Sequence, residues 1–306
     1  IHYNRGDNVK TYRHIEPRLS VRYGINNRSS LKASYTQNYQ YIHLASLSAV
    51  SLPTDTWVPS TDLVSPQSGK QYAIGYFRNF KDNLFETSVE LYYKTLKNQI
   101  EYQDGFMPEN TVSDNVDNNF VFGSGRSYGA EFFLKKSKGK FNGWIGYTLA
   151  WTERTFPDLN NGKTYYAKFD RRHDVSIVLS YDISKRWTLG TTWVYATGNL
   201  NTFPERLYII TNGSPDNFHV LEDYGGQRNN FRLPAYHRLD FSATLKGKPG
   251  KRFDSSWNFS VFNVYNRYNP YIIYFQTDYE DNKVTISAKQ ISLFPIIPSV
   301  TWNFKF

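Results

Sequence analysis

The stretch Ser299-Val300-Thr301-Trp302-Asn303-Phe304-Lys305-Phe306 alternates large apolar side chains with polar ones. Successive side chains leave a β-strand on opposite faces, so this pattern predicts a strand with one apolar and one polar face. In a soluble sandwich the aromatic face would pack in a core, and the polar face would contact water. In a membrane barrel the aromatic face would contact lipid, and the polar face would line the lumen.

The composition favours the barrel over an ordinary soluble enzyme. The chain has 306 residues, with 25 Tyr, 22 Phe, a single Met and no cysteine. The absence of cysteine excludes a disulfide framework and thiolate metal sites. No window approaches about 18 consecutive apolar residues, so no transmembrane helix is predicted. A search for long apolar runs does not detect membrane-spanning β-strands, because only every second residue of such a strand is apolar.

The net charge of +9 is concentrated in clusters rather than in one arm or stripe. The clusters occupy two predicted turns and contain Lys135, Lys136, Lys138 and Lys140, and Lys246, Lys248, Lys251 and Arg252. Solvated turn tips explain them most simply, and contact with phosphate-rich lipopolysaccharide or an anionic ligand is the alternative. The pattern does not favour nucleic acid as a partner.

The same alternation recurs along the chain and predicts an antiparallel, all-β fold of about thirteen strands. Hairpins are expected around the turns 26–29, 80–83, 137–139 and 182–185, and long loops at 41–68, 103–125, 153–170 and 198–236. Three shorter strands are expected at 271–279, 283–292 and 297–306. Short turns alternate with long loops, as in outer-membrane barrels, whose long loops lie outside the cell.

Strand parity predicts that the chain is the C-terminal part of a larger barrel. If the last strand descends to the periplasmic side, the first of about thirteen strands descends too and begins outside. Single-chain bacterial barrels have an even number of strands and both ends inside, so at least one earlier strand is expected. The predicted polar face of 32–40 (Lys, Ser, Thr, Asn, Gln) suits a wide, wet or plugged lumen.

Aromatic residues near the predicted strand ends suggest girdles at the two membrane interfaces. They are Tyr92, Tyr93, Trp151, Trp187, Tyr195, Tyr265 and Tyr271. Core packing is the alternative for each of them, and only their repetition across strands favours lipid.

A series of short motifs resembles one known family over essentially all 306 residues. The motifs are Glu16–Ser20, Ser51–Ser60, Asn98–Tyr102, Ser127–Glu131, Gly143–Thr148, Phe169–Asp174, Tyr195–Gly198, Phe294–Ser299 and the terminal Phe306. In this order they resemble the C-terminal barrel half of TonB-dependent outer-membrane receptors, especially those of Bacteroidota.

The resemblance implies a transmembrane barrel of 22 strands, closed by an N-terminal plug with a TonB box. Residues 1–306 would then form strands ten to twenty-two, and the plug and the earlier strands are not in this sequence. Ligand would bind the outer loops and the plug, and the TonB–ExbB–ExbD system would supply the energy. A surface lipoprotein lid or other outer-membrane subunits are further partners that such a receptor admits.

The run Phe169–Asp174 is the densest polar cluster of the sequence. Arg171 and Arg172 have the guanidinium forks that suit an anionic substrate or a carboxylate. The alternative is an ion-pair network that fixes the strand mouth to its neighbours. Both interpretations stay open at this point.

The predicted loops contain further weak candidates for contact with a carbohydrate or an aromatic chelate. They are Trp57, Tyr165, Tyr166, Arg206, Tyr208 and Asn212. Loop aromatics also pack loops together, so placement is their only support.

The sequence favours neither an enzyme nor a metal or cofactor site. An enzyme would use Asp170, His173 or Asp174 as an acid–base set, but no activated Ser elbow or Cys nucleophile accompanies them. The histidines are His2, His14, His43, His173, His219 and His237, and none has a metal-ligand spacing to another.

Three hypotheses about function follow. The first is a TonB-dependent importer of a bulky nutrient such as a ferric siderophore, oligosaccharide or peptide. The second is a receptor-like barrel kept as a structural or assembly subunit of an outer-membrane complex. The third, a soluble β-rich adhesin or nucleic-acid binder, conflicts with the repeated aromatic stripes.

Overall fold

The chain is built around one large antiparallel sheet. The computed structural model describes residues 2–5, 8–45, 55–104, 116–211, 218–248, 254–280 and 283–305. Eleven strands of the 12-stranded sheet follow one another in chain order. They are β1 Arg18–Asn26, β2 Ser29–Gln40, β3 Gln67–Phe80, β4 Phe85–Tyr102, β5 Phe120–Lys136, β6 Phe141–Thr155, β7 His173–Asp182, β8 Trp187–Ala196, β9 Tyr236–Lys246, β10 Asp254–Phe262 and β11 Ile297–Lys305. The twelfth strand, Tyr165–Tyr166, pairs only with β6.

The predicted hairpins and the all-β class are confirmed, but two of the thirteen predicted strands lie outside the sheet. Pro270–Glu280 and Lys283–Ser292 pair only with each other. They form a ribbon within the connection between β10 and β11. Short turns and long connections therefore alternate through to the last described strand, further than the sequence pattern indicated.

Short ribbons precede β1 and lie within two of the predicted loops, 41–68 and 198–236. The pairs are His2–Arg5 with Asn8–Thr11, Ile42–Ala45 with Thr56–Pro59, Leu200–Asn201 with Phe231–Arg232, and Arg206–Thr211 with Phe218–Asp223. Among the described residues, the short 3-10 helices Val116–Asn119 and Asn160–Gly162 lie in the predicted loops 103–125 and 153–170. The expectation that 198–236 is irregular is therefore wrong in part. Ile209 and Ile210 form a continuous apolar run without alternation, so the period-two test missed this strand.

We call the two ends of the sheet the short-turn end and the long-loop end. The described short connections lie around 27–28, 81–84, 137–140, 183–186 and 247–248, and the long ones within 41–66, 103–119, 156–172, 197–235 and 263–296. Residues 251–253 of the second basic cluster lie outside the described residues. The left-handed φ of Asp82 and Asn83 (52° and 62°) suits the tight β3–β4 turn, since these residue types tolerate that region.

The strand register places the predicted stripes on a single apolar face. Tyr72 is opposite Tyr93, which is opposite Tyr128, which is opposite Trp151. Residues directly opposite one another share a face. In β11, Val300, Trp302 and Phe304 are 62%, 53% and 53% exposed, although they are apolar. The last predicted aromatic, Phe306, lies outside the described residues.

Two rows of aromatic rings mark the borders of the apolar face. The lower row, toward the short-turn end, includes Phe85 on β4 and Trp187 on β8, and the upper row, toward the long-loop end, includes Tyr93 and Tyr195. On each strand the two rings are eight residues apart. At about 3.3 Å per residue and a tilt near 40°, that spacing corresponds to roughly 20 Å along a barrel axis. A lipid-facing band has a comparable height of about 25 Å.

Two of the predicted girdle residues do not belong to these rows. Tyr92 is opposite Gly129, one residue out of step with Tyr93, and so lies on the polar face. Tyr271 lies in the ribbon Pro270–Glu280, outside the sheet. The sequence could not separate Tyr92 from Tyr93 because the two adjacent tyrosines fit either phase of the alternation.

The buried hydrophobic side chains that the structure describes lie in the long connections and at the strand ends beside them, rather than along the middle of the sheet. One cluster contains Ala45, Val58, Val64, Tyr102 and Phe120. The long-loop end thus has small cores of its own, and Phe156, Leu159 and Tyr165 form a second one. In the part of the chain that the structure describes, no helix is long and apolar enough to cross a membrane.

Candidate functional site

Asp170 is the central ion of the long-loop end and is 1% exposed. Its Oδ1 accepts a hydrogen bond from the backbone N–H of Thr152 at 2.7 Å. Its Oδ2 accepts from Arg232 Nη2 at 2.6 Å and from Arg172 Nη2 at 3.3 Å. Arg232 Nη1 also donates to the carbonyl of Gly198 at 2.9 Å. One carboxylate therefore ties β6 to two long connections.

The two arginines proposed from sequence have different surroundings. The Arg172 guanidinium lies over the rings of Trp151 and Tyr166, at 5.0 and 4.7 Å from their centroids. Arg171 donates to Oδ1 of Asn199 at 3.1 Å and is exposed. Arg172 therefore takes part in an ion-pair network, the alternative considered from sequence. Arg171 instead has an exposed guanidinium edge that is available to a ligand.

A second charged cluster surrounds Glu101, beyond the upper aromatic row. Glu101 Oε2 accepts from Arg228 Nη1 at 3.3 Å and lies 3.8 Å from Lys168 Nζ. Arg228 Nη2 also donates to Asp104 Oδ1 at 2.8 Å. Burial lowers the pKa of Lys168, and it raises the pKa of the nearby Tyr165 phenol. The cluster joins three long connections.

A cavity of about 350 Å³, which we call the mouth cavity, opens where the polar face meets the long connections. Its polar lining includes Arg171, Asn199, Arg238 and Asn269, and its aromatic lining includes Tyr236. Arg238 is paired with Asp240 at 2.9 Å. Two guanidinium groups beside amides and rings suit a ligand with anionic and flat polar parts.

A second cavity of about 450 Å³, the loop cavity, lies among the connections above Trp151. Its lining is mostly amide, hydroxyl and charged, and comprises Arg126, Glu153, Asn160, Thr164, Tyr165, Tyr166, Gln227, Arg228, Asn229 and Asn230. Several of these groups already bond to one another, for example Asn229 Nδ2 to the carbonyl of Tyr166 at 2.7 Å. The lining offers hydrogen bonds rather than an apolar surface.

The structure does not gather the sequence candidates into one site. Tyr165 and Tyr166 line the loop cavity, although Tyr165 is only 7% exposed. Trp57 is exposed on the ribbon Thr56–Pro59, and Arg206 and Tyr208 lie on another ribbon. Asn212 lies outside the described residues.

Two of the three residues of the acid–base hypothesis have separate partners. Asp170 is held by its arginines, and His173 Nδ1 bonds to the Tyr147 hydroxyl at 2.9 Å. Sequence reasoning missed Arg232 and Arg238. Arg232 belongs to no local motif, because its partner Asp170 is 62 residues away. Arg238 pairs with Asp240 two residues away, but no sequence pattern distinguished this pair from other charged residues of the strands.

The sequence matches the family described as "TonB dependent receptor-like, beta-barrel" over residues 2–266. No protein in a search of curated sequences matches the chain. Members of the matched family are transporters rather than enzymes.

Solved structures similar to the chain are outer-membrane receptors and transporters. One is the ferripyoverdine receptor of the Pseudomonas aeruginosa outer membrane (16% identity, TM-score 0.54, covering 94% of this chain and 32% of that one). Others are the FrpB iron transporter of Neisseria meningitidis (15%, 0.55, 97% and 39%) and BauA, the ferric preacinetobactin receptor of Acinetobacter baumannii (16%, 0.55, 95% and 36%).

At such identities the likeness concerns the fold. The chain spans only about a third of the length of these structures. From the family match, together with the two-faced antiparallel sheet, it follows that this chain belongs to the TonB-dependent receptor β-barrel family and is a protein of the bacterial outer membrane.

Proposed function

We propose that residues 1–306 form the C-terminal part of a 22-stranded receptor barrel that imports a bulky nutrient, energised through TonB, ExbB and ExbD. The observation that carries the proposal is the division of the sheet into an apolar lipid face and a polar face that ends at the mouth cavity. The edge strands β1 and β11 each pair with one neighbour among the described strands. A lipid-spanning sheet needs both edges paired, which supports further strands in the complete receptor.

A pair of carboxylates on the polar face supports a plug in the lumen. Glu90 on β4 is directly opposite Glu131 on β5. Like charges opposite each other destabilise a sheet. Within the described ranges no ion pair joins either group to a base. A cationic segment of a plug domain, outside this sequence, would offset their repulsion.

For the ligand, the mouth cavity favours a class with anionic groups. Ferric siderophores, oligosaccharides and peptides all remain in the proposal, and Arg171 and Arg238 favour the members with carboxylate or similar groups. Two of the named neighbours are receptors for iron chelates, ferripyoverdine and ferric preacinetobactin, which fits that choice. We also propose the Bacteroidota branch, on the motifs Asn98–Tyr102 and Phe169–Asp174.

Lipopolysaccharide is proposed as a partner at the long-loop end. The basic clusters that first suggested it, around Lys138 and Lys246, lie at the short-turn end, on the periplasmic side. Lys70, Lys97 and Arg126 instead follow the apolar face beyond the upper aromatic row, where the outer leaflet ends. A surface lipoprotein that covers the long loops is likewise proposed as a partner.

Energised uptake tests the proposed function. Cells that express the complete receptor would be given candidate ferric siderophores, glycans and peptides, with and without a functional TonB. We expect TonB-dependent accumulation of one class and a loss of about tenfold or more in ligand affinity for Arg171→Ala with Arg238→Ala, since each charged hydrogen bond contributes about 1.5–3 kcal/mol. Uptake of none of these classes, with stable co-purifying subunits, would favour the structural role instead.

A further inference from the structure

The short-turn end has a rim of positive charge that the proposed transport does not use. Every short connection that the structure describes carries a Lys or Arg, namely Arg28, Lys81, Lys138, Lys185 and Lys248. Acidic residues at the same end are few, chiefly Asp82, Glu86, Asp182 and Asp254. We call this set of basic residues and their neighbours the short-turn rim.

Most of the rim charge has no acidic partner among the residues that the structure describes. Arg28 pairs with Asp82 at 3.2 Å, and Lys135 pairs with Glu86 at 3.4 Å. Within the described part of the chain, no ion pair neutralises Lys140, Lys185 or Lys248. All three side chains are exposed. The rim therefore presents uncompensated positive charge to whatever lies beside it.

Part of this charge lies directly on the lower aromatic row of the apolar face. The Arg78 guanidinium is 4.8 Å from the centroid of Phe80, and Lys136 Nζ is 5.7 Å from that of Phe141. Both rings are exposed on the apolar face. Aromatic rings of this kind sit at the headgroup level of a membrane, so these cations lie at the level of lipid phosphates.

The rim also contains a cavity of about 670 Å³ between two turns and the end of β11. Its basic lining is Lys185, Arg186, Lys246, Lys248 and Lys305, with Asp254 as the acidic member. Phe304, which belongs to the apolar face and is 53% exposed, lines it too. By the strand register, Lys246 and Lys305 lie in the polar phase of β9 and β11, opposite Ser256 and Asp254, whereas Phe304 lies in the apolar phase. The cavity thus lies at the end of the sheet, where cations of the turns and of the polar face meet an aromatic group of the apolar face.

We propose that the short-turn rim binds anionic phospholipid headgroups of the periplasmic leaflet, with the cavity beside Lys185 and Lys246 as its strongest site. A lipid phosphate would contact the ammonium groups, and its acyl chains would pass over Phe304 and Trp302. Each basic residue near an anionic membrane surface contributes a similar increment of attraction. The occupant is a phospholipid rather than a soluble polyanion because the charge continues onto the lipid-facing rings of Phe80 and Phe141.

Native mass spectrometry of the purified, delipidated receptor tests the proposal. The probes are phosphatidylglycerol and phosphatidylethanolamine of equal chain length, and each is added stepwise. The test variant is Lys185→Gln with Lys246→Gln and Lys248→Gln. The matched control removes the same charge at the other end, with Lys10→Gln, Lys163→Gln and Lys289→Gln. A third variant replaces the rim lysines by Arg.

The expected result is a preference for phosphatidylglycerol that falls about tenfold or more in the rim Gln variant. The control triple and the Arg triple keep the preference within about twofold. The Arg triple also shows that these positions tolerate substitution. Equal loss in both Gln triples, no preference in the unmodified receptor, or tighter binding of lipopolysaccharide or peptidoglycan fragments to the rim would each overturn the proposal.

Discussion

The two ends of the sheet use charged residues in opposite ways. At the long-loop end, Asp170 is 1% exposed and is held by two arginines, and Glu101 joins Arg228 and Lys168. At the short-turn end, the pair Arg28–Asp82 is exposed at 64% and 91%. Most of the net charge of +9 lies at that second end. Buried, paired charge fixes the shape of long connections, whereas exposed, unpaired charge is available to a partner.

The difference follows from connection length. A short turn needs few groups to hold it, since its two strands already define its ends. Ordering a long connection such as 197–235 costs conformational entropy. Small hydrophobic clusters and buried ion pairs at the long-loop end offset that cost. The following predictions test this contrast, beginning with the largest effect.

Removal of the central carboxylate should loosen the long-loop end. Asp170→Ala leaves Arg172 and Arg232 without their anion, which costs about 3 kcal/mol for a pair of this burial. The matched variant Asp82→Ala removes the exposed partner of Arg28 and should change stability by less than about 0.5 kcal/mol. Hydrogen exchange at the amides of Thr152 and Leu233 measures the first effect. Comparable effects of the two variants would contradict the contrast.

A methyl group should be tolerated at one end only. A Cβ at Gly198 would lie 1.9 Å from the carbonyl oxygen of Leu233, and overpacking of this kind costs about 1–3 kcal/mol. Gly24, near the short-turn end, has no atom within 4 Å of such a Cβ. Thermal melts of the two Gly→Ala variants compare them. A lower melting temperature for Gly24→Ala than for Gly198→Ala would refute this packing.

Acid should open the ribbon around His43 before it affects the short turns. His43 is 0% exposed and bonds to Ser60 Oγ through Nε2 at 2.9 Å, and burial lowers its pKa from the ordinary 6.5. The unfolded ribbon therefore binds a proton more readily than the folded one, so its stability is complete above about pH 6.5 and falls below it. The change is measured by the protection factors of the Ile42–Ala45 amides, that is, their exchange rates relative to the intrinsic rate at each pH, compared at pH 5 and 7.5. His43→Gln should abolish the pH dependence of these protection factors. Equal pH dependence in the variant would assign the effect to another group.

The sequence predicted the fold better than it predicted the site. Strands such as β8, with Trp187, Leu189, Thr191 and Trp193 in strict alternation, are determined by a local pattern, and the turns between hairpins are local too. Asp170 contacts Arg172 two residues away, but its shorter ion pair, with Arg232, is not local, because Arg232 comes from a connection with no periodicity. Which of Tyr92 and Tyr93 lies on the apolar face also depends on their partners across the sheet, Gly129 and Tyr128.

The orientation of the two ends underlies both the transport proposal and the lipid proposal. The chain has no native cysteine, so single cysteines can be introduced at Lys163, exposed at the long-loop end, and at Lys138, exposed in a short turn. Intact cells expressing the receptor would be treated with a membrane-impermeant maleimide. The predicted result is labelling at position 163 in intact cells and at position 138 only after the outer membrane is permeabilised. Labelling at 138 but not at 163 in intact cells would contradict the account.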